Sequence, residues 1–338
     1  MKKFITVMPA ILLILFATVT THATQIKDLN VDVRGLAQFA YSWDQEDGDD
    51  QLDVTRLRVN FTTHATKYIS MYADIEATNN ISGSGAAGGR NSITEGSADS
   101  RIVDIYADFY YWKKVTMRVG QFPLPNSYEL NTPEYELETI QYSMGIGDFS
   151  RRDRGFIFFG DPTKEFSWAA WMVNGSGGIT GADSDSDDRS DFGLQLDYFP
   201  AEVFSIKLWG SWGEVAADTS SQDSDTDAYG FGLDYVMNNF HLFGEFNDED
   251  TNTGGMKRAD TQEWYIHASH FIPQTPLQFV VRYDEYTQDV LGVNAIDEKI
   301  TTVGINWDFE SNSRLQVMRD FVNGPDNDKL DIQLSIRF

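Results

Sequence analysis

Charged side chains recur at alternate positions in this sequence, and that spacing is the first clue to what they can do. Arg34, Arg56, Arg58 and Arg118 sit among mostly apolar neighbours, as do Asp74, Glu76, Asp104 and Asp108. In an extended strand successive side chains point to opposite faces, so such residues share one face and their apolar neighbours the other. A second set of acids, Glu129, Glu134, Glu136 and Glu138, falls in a stretch from 123 to 150 that contains no Lys or Arg. Arg151, Arg152 and Arg154 close that stretch, with Asp153 between them. Fixed charges of opposite sign facing one another across a water-filled space set up a transverse field that sorts ions. The same residues can instead neutralise each other between neighbouring strands and only stiffen a wall. Both readings stay open on the sequence.

Bond-making chemistry finds little support. No G-x-S-x-G, H-E-x-x-H or phosphate-loop pattern occurs. The chain has no cysteine, hence no thiol chemistry and no disulfide framework. Of the histidines, His267 and His270 are three apart on a predicted strand and face opposite sides, so they cannot chelate one metal. The acidic runs Asp183–Asp188 and Asp223–Asp227 resemble calcium-loop spacing, but the turning Gly and the closing Glu are missing. They read as solvated acidic loops. No enzyme activity, cofactor or metal is expected. A net charge of −26, from 52 acidic and 26 basic residues, disfavours a nucleic-acid partner.

The elements that must position these charges are strands. The mean hydropathy of −0.37 excludes a bundle of membrane helices. Only the N-terminus is continuously apolar, from Phe4 to about Val19 behind Lys2-Lys3, and Thr21 and Ala23 suit a signal-peptidase site. Residues 1–23 are therefore expected to be a signal peptide and 24–338 the mature domain. That domain is rich in aromatics, with 23 Phe, 15 Tyr and 8 Trp in the whole chain. Period-two alternation yields sixteen strands, at 30–43, 51–63, 68–79, 101–111, 114–122, 153–160, 165–173, 191–199, 203–213, 228–236, 240–247, 262–272, 277–287, 298–309, 314–322 and 329–338. Connections alternate between short and long, the longest being the third long one at about 123–152. Short periplasmic turns, long outer loops and an even strand count describe an all-β fold, a transmembrane antiparallel β-barrel. Aromatics at strand ends, such as Tyr110-Tyr111-Trp112 and Trp264-Tyr265, suit the two membrane interfaces. Val103, Ile105 and Ala107 are expected to face lipid, and Arg319 is a charge on that face that the alternation does not explain.

Two resemblances sharpen the reading. The last strand alternates through Leu330, Ile332, Leu334 and Ile336 and closes on Phe338, which looks like the signal read by the barrel-assembly machinery. The segment Arg118-Val119-Gly120-Gln121-Phe122-Pro123-Leu124-Pro125-Asn126-Ser127-Tyr128-Glu129 is similar to the G-Q-F-x-x-P-x-S-x-E stretch of the phosphate-selective porin O and P family, and Arg152-Asp153-Arg154-Gly155 resembles its R-D-x-G strand start. The resemblance implies a sixteen-stranded porin in the outer membrane of a Gram-negative bacterium, surrounded by lipid and lipopolysaccharide. It further implies a homotrimer, and a third outer loop folded into the lumen as a constriction. Thr132 to Ile140 in that loop are expected to form a short helix, with Pro133 in its first turn. The small outward residues Gly35 and Ala37 would permit close packing between barrels. The family's basic lining is reduced here, and the loops at the mouth are acidic. The expectation is therefore passive diffusion of small hydrophilic solutes and ions, general or with weak cation preference. Anion or phosphate selectivity is the alternative, and a non-conducting structural or adhesin barrel the second alternative.

Overall fold

The computed structural model describes residues 31–45, 50–79, 98–145, 152–175, 190–215, 224–253, 256–310, 312–323 and 328–338. The expected signal peptide, Arg151 and the acidic run 183–188 lie outside them. Sixteen strands follow one another: β1 (Val31–Asp44), β2 (Asp50–Thr66), β3 (Ile69–Asn79), β4 (Ala98–Trp112), β5 (Val115–Pro123), β6 (Arg152–Gly160), β7 (Phe166–Val173), β8 (Asp191–Ala201), β9 (Phe204–Val215), β10 (Ser224–Met237), β11 (Phe240–Thr253), β12 (Met256–Phe271), β13 (Leu277–Val290), β14 (Val293–Glu310), β15 (Ser313–Val322) and β16 (Lys329–Arg337). Each pairs antiparallel with its neighbours in sequence, and β1 closes onto β16 from Leu36↔Arg337 to Asp44↔Lys329. Closure removes both sheet edges. A bilayer demands this, because it holds no water to satisfy a free backbone N–H or C=O.

Burial runs opposite to that of a water-soluble protein. On β13 the inward Gln278, Arg282 and Asp284 are 1%, 3% and 0% exposed, while the outward Phe279 and Val281 are 52% and 45% exposed. The end of the chain belongs to the sheet: the Phe338 N–H donates to the Gly35 carbonyl at 3.0 Å, and the Gly35 N–H to the Phe338 carbonyl at 2.7 Å. The Phe338 ring lies over Gly35, where any Cβ would collide with it. Gly35 is therefore not the open notch expected from the sequence, since the chain's own last ring fills it.

Three other expectations change. The register shifts between Asp74 and Ile75, so that Asp74 pairs with Asp104 but Ile75 with Ile102. Val103 is the extra residue of this bulge. It turns inward at 1% exposure, and Ile102 takes the lipid-facing place. The expected outer loop 288–297 is a two-residue turn at Leu291 and Gly292, both with positive φ, between strands that continue to meet it. Alternation fails there as a guide because both faces of the ribbon stand in water beyond the membrane. Arg319 gains an account: it pairs with Asp328 at 2.9 Å and lies over the Phe321 ring at the outer end of β15.

Candidate functional site

Segment 124–145, between β5 and β6, folds into the barrel, and small apolar clusters hold both its ends. Leu124 packs with Phe122, Ile157, Ala169, Trp171 and Val173 on β5–β7, and Met144 packs with Tyr286 and Ile300 on β13–β14. The segment thus leaves one wall and is fixed to the opposite one. The expected helix over 132–140 does not form. In its place are a single 3-10 turn at Glu129–Asn131 and a turn closed by the Glu136 N–H to the Pro133 carbonyl at 2.7 Å. A helix would carry Glu134 and Glu138 on one face, whereas the barrel draws them to opposite walls.

The far wall holds most of the loop. Arg282 on β13 reaches Glu129 at 3.0 Å and donates to Thr139 Oγ1 and to the carbonyls of Gln141 and Tyr142 at 2.7–2.9 Å. Glu138 accepts from Gln278 at 2.7 Å and meets His267 Nε2 at 2.6 Å and His241 Nδ1 at 3.2 Å. Burial alone would push the Glu138 carboxyl up, but the hydrogen bonds and charge of His241 and His267 hold it well below the usual carboxylate range. Glu245 on β11 accepts the Ser127 hydroxyl and the Tyr128 N–H, both at 3.0 Å. Asn306 and Gln316 donate to loop carbonyls from β14 and β15. Of these wall residues only His267 was singled out in the sequence, and there only to exclude a metal site. Their only signal is inward parity on strands of ordinary alternation, and parity does not say what lies opposite.

The near wall meets the loop through one carboxylate. Glu134 accepts from Arg58 on β2 at 2.8 Å, with Arg56 3.7 Å away. Arg56 and Arg58 share Glu76 on β3 at 3.0 and 2.5 Å. Burial would raise the Glu134 carboxyl, yet Arg56 and Arg58 hold it below the usual value, so it is ionised at neutral pH. Farther round, Arg118 binds Asp108 at 2.8 Å over the Tyr106 ring, Arg152 binds Asp104 at 2.9 Å, and Lys207 stands 3.8 Å from Asp197.

A cavity of about 910 Å³ remains, mostly between the loop and β1–β9, and it also reaches Arg282 on β13 and Gln333 on β16. Arg56, Arg58, Asp74, Asp104, Arg118, Glu134 and Arg152, all singled out in the sequence, line it, with Glu76 directly behind. Glu129 is instead buried on the far wall. Glu138 is bound there, and Glu136 is exposed away from the cavity. Arg34 has the expected inward parity, but it lies exposed near the β1 start and does not join the cluster. Arg154 pairs in register with Gln121 on the outward face, as the alternation from Arg152 to Ile157 is reset where β6 begins. Among the described residues, Asp248, Asp250 and Asp260 form an acidic trio of metal-binding spacing, but Lys257 already sits 2.6 and 2.9 Å from two of them.

Comparison with known proteins places this geometry. The family model for phosphate-selective porin O and P matches residues 28–205, just over half of the chain. No curated protein matches. Among solved structures, OmpF of Salmonella typhi in complex with daunomycin superposes with a TM-score of 0.68 at 15% identity, covering 91% of this chain and 97% of that one. An anion-selective porin from Comamonas acidovorans gives 0.66 at 14% identity, over 92% and 99%. The trimer form of OmpT, an outer membrane protein of Vibrio cholerae, gives 0.65 at 10% identity, over 92% and 100%.

Proposed function

The chain belongs to the phosphate-selective porin O and P family, and from that premise we propose how its pore discriminates. It is an integral outer-membrane porin that passes small hydrophilic solutes and ions by diffusion. The passage runs between loop segment 124–145 and the wall of β1–β9, because the loop is stapled to β10–β15. The carrying observation is that, among the described residues, each cation lining the cavity has a carboxylate partner: Arg56 and Arg58 with Glu76 and Glu134, Arg118 with Asp108, Arg152 with Asp104, Lys207 with Asp197, Arg282 with Glu129. An oxyanion seat needs several uncompensated donors converging on one point, and the described residues offer none. The function is passage without turnover, general or weakly cation-preferring, with mixed charge along the wall.

Anion selectivity is the second reading, favoured by one feature: Arg56, Arg118, Arg152 and Lys207 all face the same passage. Reversal potentials across planar bilayers under a KCl gradient decide between the two. Weak cation preference, unchanged by phosphate, supports the general pore. Anion preference, with chloride current blocked by low phosphate, overturns it. The Vibrio cholerae OmpT structure is of a trimer form, and a homotrimer is proposed here as well. Native mass spectrometry in mild detergent tests this, and a monomer as the main species would count against it.

A further inference from the structure

The outer wall carries a feature that conduction does not use. Across β4 to β7 the residues Ile105, Gln121, Arg154 and Asn174 form one outward row. Beneath Arg154 a groove of about 600 Å³ opens, with Ile102, Ile105, Val119 and Phe156 as its apolar lining and the bare backbone of Gly120 and Gly155 between them. Ile102 and Ile105 are 51% and 49% exposed, as lipid-facing residues are.

A guanidinium at the edge of an apolar wall needs a reason. Here it is held in place. The bulge at Val103 leaves the Val103 carbonyl free of the ladder, and the Gln121 amide donates to it at 2.8 Å. Gln121, itself 6% exposed, then accepts the Arg154 Nε–H on its Oε1 at 3.2 Å. One edge of the guanidinium is thereby pinned, and its Nη groups remain. Among the described residues no carboxylate pairs with them. This distinguishes Arg154 from Arg56, Arg58, Arg118 and Arg152, all of which are paired. It lies near the start of β6, at the end that joins loop segment 124–145, with an apolar trough running from it along β4–β6.

We propose that this groove seats an anionic lipid of the outer leaflet, with a headgroup phosphate on the Arg154 Nη groups and an acyl chain along Ile102, Ile105, Val119 and Phe156. Charge complementarity selects this occupant. A neutral lipid would leave the oriented guanidinium without a counter-charge. Guanidinium and phosphate match as planar fork and oxyanion, in a setting less hydrated than bulk water. The chain fits an apolar trough at a wall that lipid already wets.

The test uses the purified full-length barrel in neutral detergent, titrated with lipid A and observed by native mass spectrometry. Dephosphorylated lipid A and inorganic phosphate serve as separate probes. The expected result is saturable binding of phosphorylated lipid A, with R154Q weakening it about tenfold or more, as the loss of one charge-assisted pair implies. I105W, which fills the trough and leaves the arginine alone, should weaken lipid A to a similar degree. Conductance should be the same in both variants as in the parent, which also shows that each is folded. Equal binding of dephosphorylated lipid A, or unchanged binding by both variants, overturns the proposal. Binding of inorganic phosphate as tight as that of lipid A makes the site a free-anion site and refutes the lipid. Loss of the oligomer in R154Q, without lipid present, would make the groove a contact between barrels and refute it equally.

Discussion

Replacing Glu134 by Gln removes one negative charge from the passage while leaving the loop close to its place. The amide oxygen can still accept from Arg58, whose other partners, Glu76 and Asp74, stay at 2.5 and 3.7 Å. The electrostatic effect follows from Coulomb's law. For an ion about 8 Å from the carboxylate in a water-filled passage, one unit charge contributes about 0.5 kcal/mol unscreened, and about half of that at 0.1 M salt. A cation loses this attraction and an anion loses the matching repulsion, so the permeability ratio moves by about 0.5–1 kcal/mol, or roughly two- to fivefold toward anions. The assay is the reversal potential of reconstituted channels under a KCl gradient. The shift should shrink in 1 M salt, where the Debye length is about 3 Å. Glu136→Gln is the control: the same charge change, two residues along, at an exposed side chain outside the cavity. Equal shifts in both variants, or none in E134Q, would refute the assignment of Glu134 to the passage.

Arg282→Met strips the far-wall staple and leaves Glu129 buried without its counter-charge, a change of about 3–5 kcal/mol against the docked loop. Larger, noisier single-channel currents and protease cleavage within 124–145 are expected of a barrel that still resists heat; unchanged currents and an uncut loop would refute the staple. Acid should act late. The folded-state values of Glu134 and Glu138 are depressed, so their contribution is complete above the ordinary value of 4.5 and is lost as pH falls through the lower folded values. The Glu134 and Glu138 contacts should therefore hold at pH 5 as at pH 7 and loosen only below about pH 4, with the groups facing Glu138, namely His241, His267 and Gln278, setting where; Glu129, pushed up to about 7 by burial, takes up its proton within that range, which favours the docked loop rather than opposing it, so a loosening already at pH 5.5 would contradict this. Phe338→Glu places a charge on Gly35 at the β1–β16 seam and should slow barrel insertion, read as less heat-modifiable protein in the outer membrane; normal levels would speak against a role in assembly.

The barrel itself was readable in the sequence because lipid imposes a strict rule. Outward residues must be apolar and the lumen admits polar ones, so Phe279, Val281 and Arg282 reveal their faces by alternation alone. Strand number followed from the rhythm of turns and loops, and the near-wall arginines from their parity. Where that rule lapses, the sequence said less. Beyond the membrane the β13–β14 ribbon has water on both sides, and its strands ran on unseen to Leu291-Gly292. The bulge at Val103 changes the face of a residue without changing the pattern around it, because an extra residue in a ladder is decided by pairing and not by composition. The constriction belonged to tertiary structure altogether. Local spacing favoured a helix over Thr132–Ile140, but Arg58 on β2 and His241 and His267 on β11 and β12 draw Glu134 and Glu138 apart. Those partners lie more than 75 positions away along the chain, and only closure of the barrel brings them face to face.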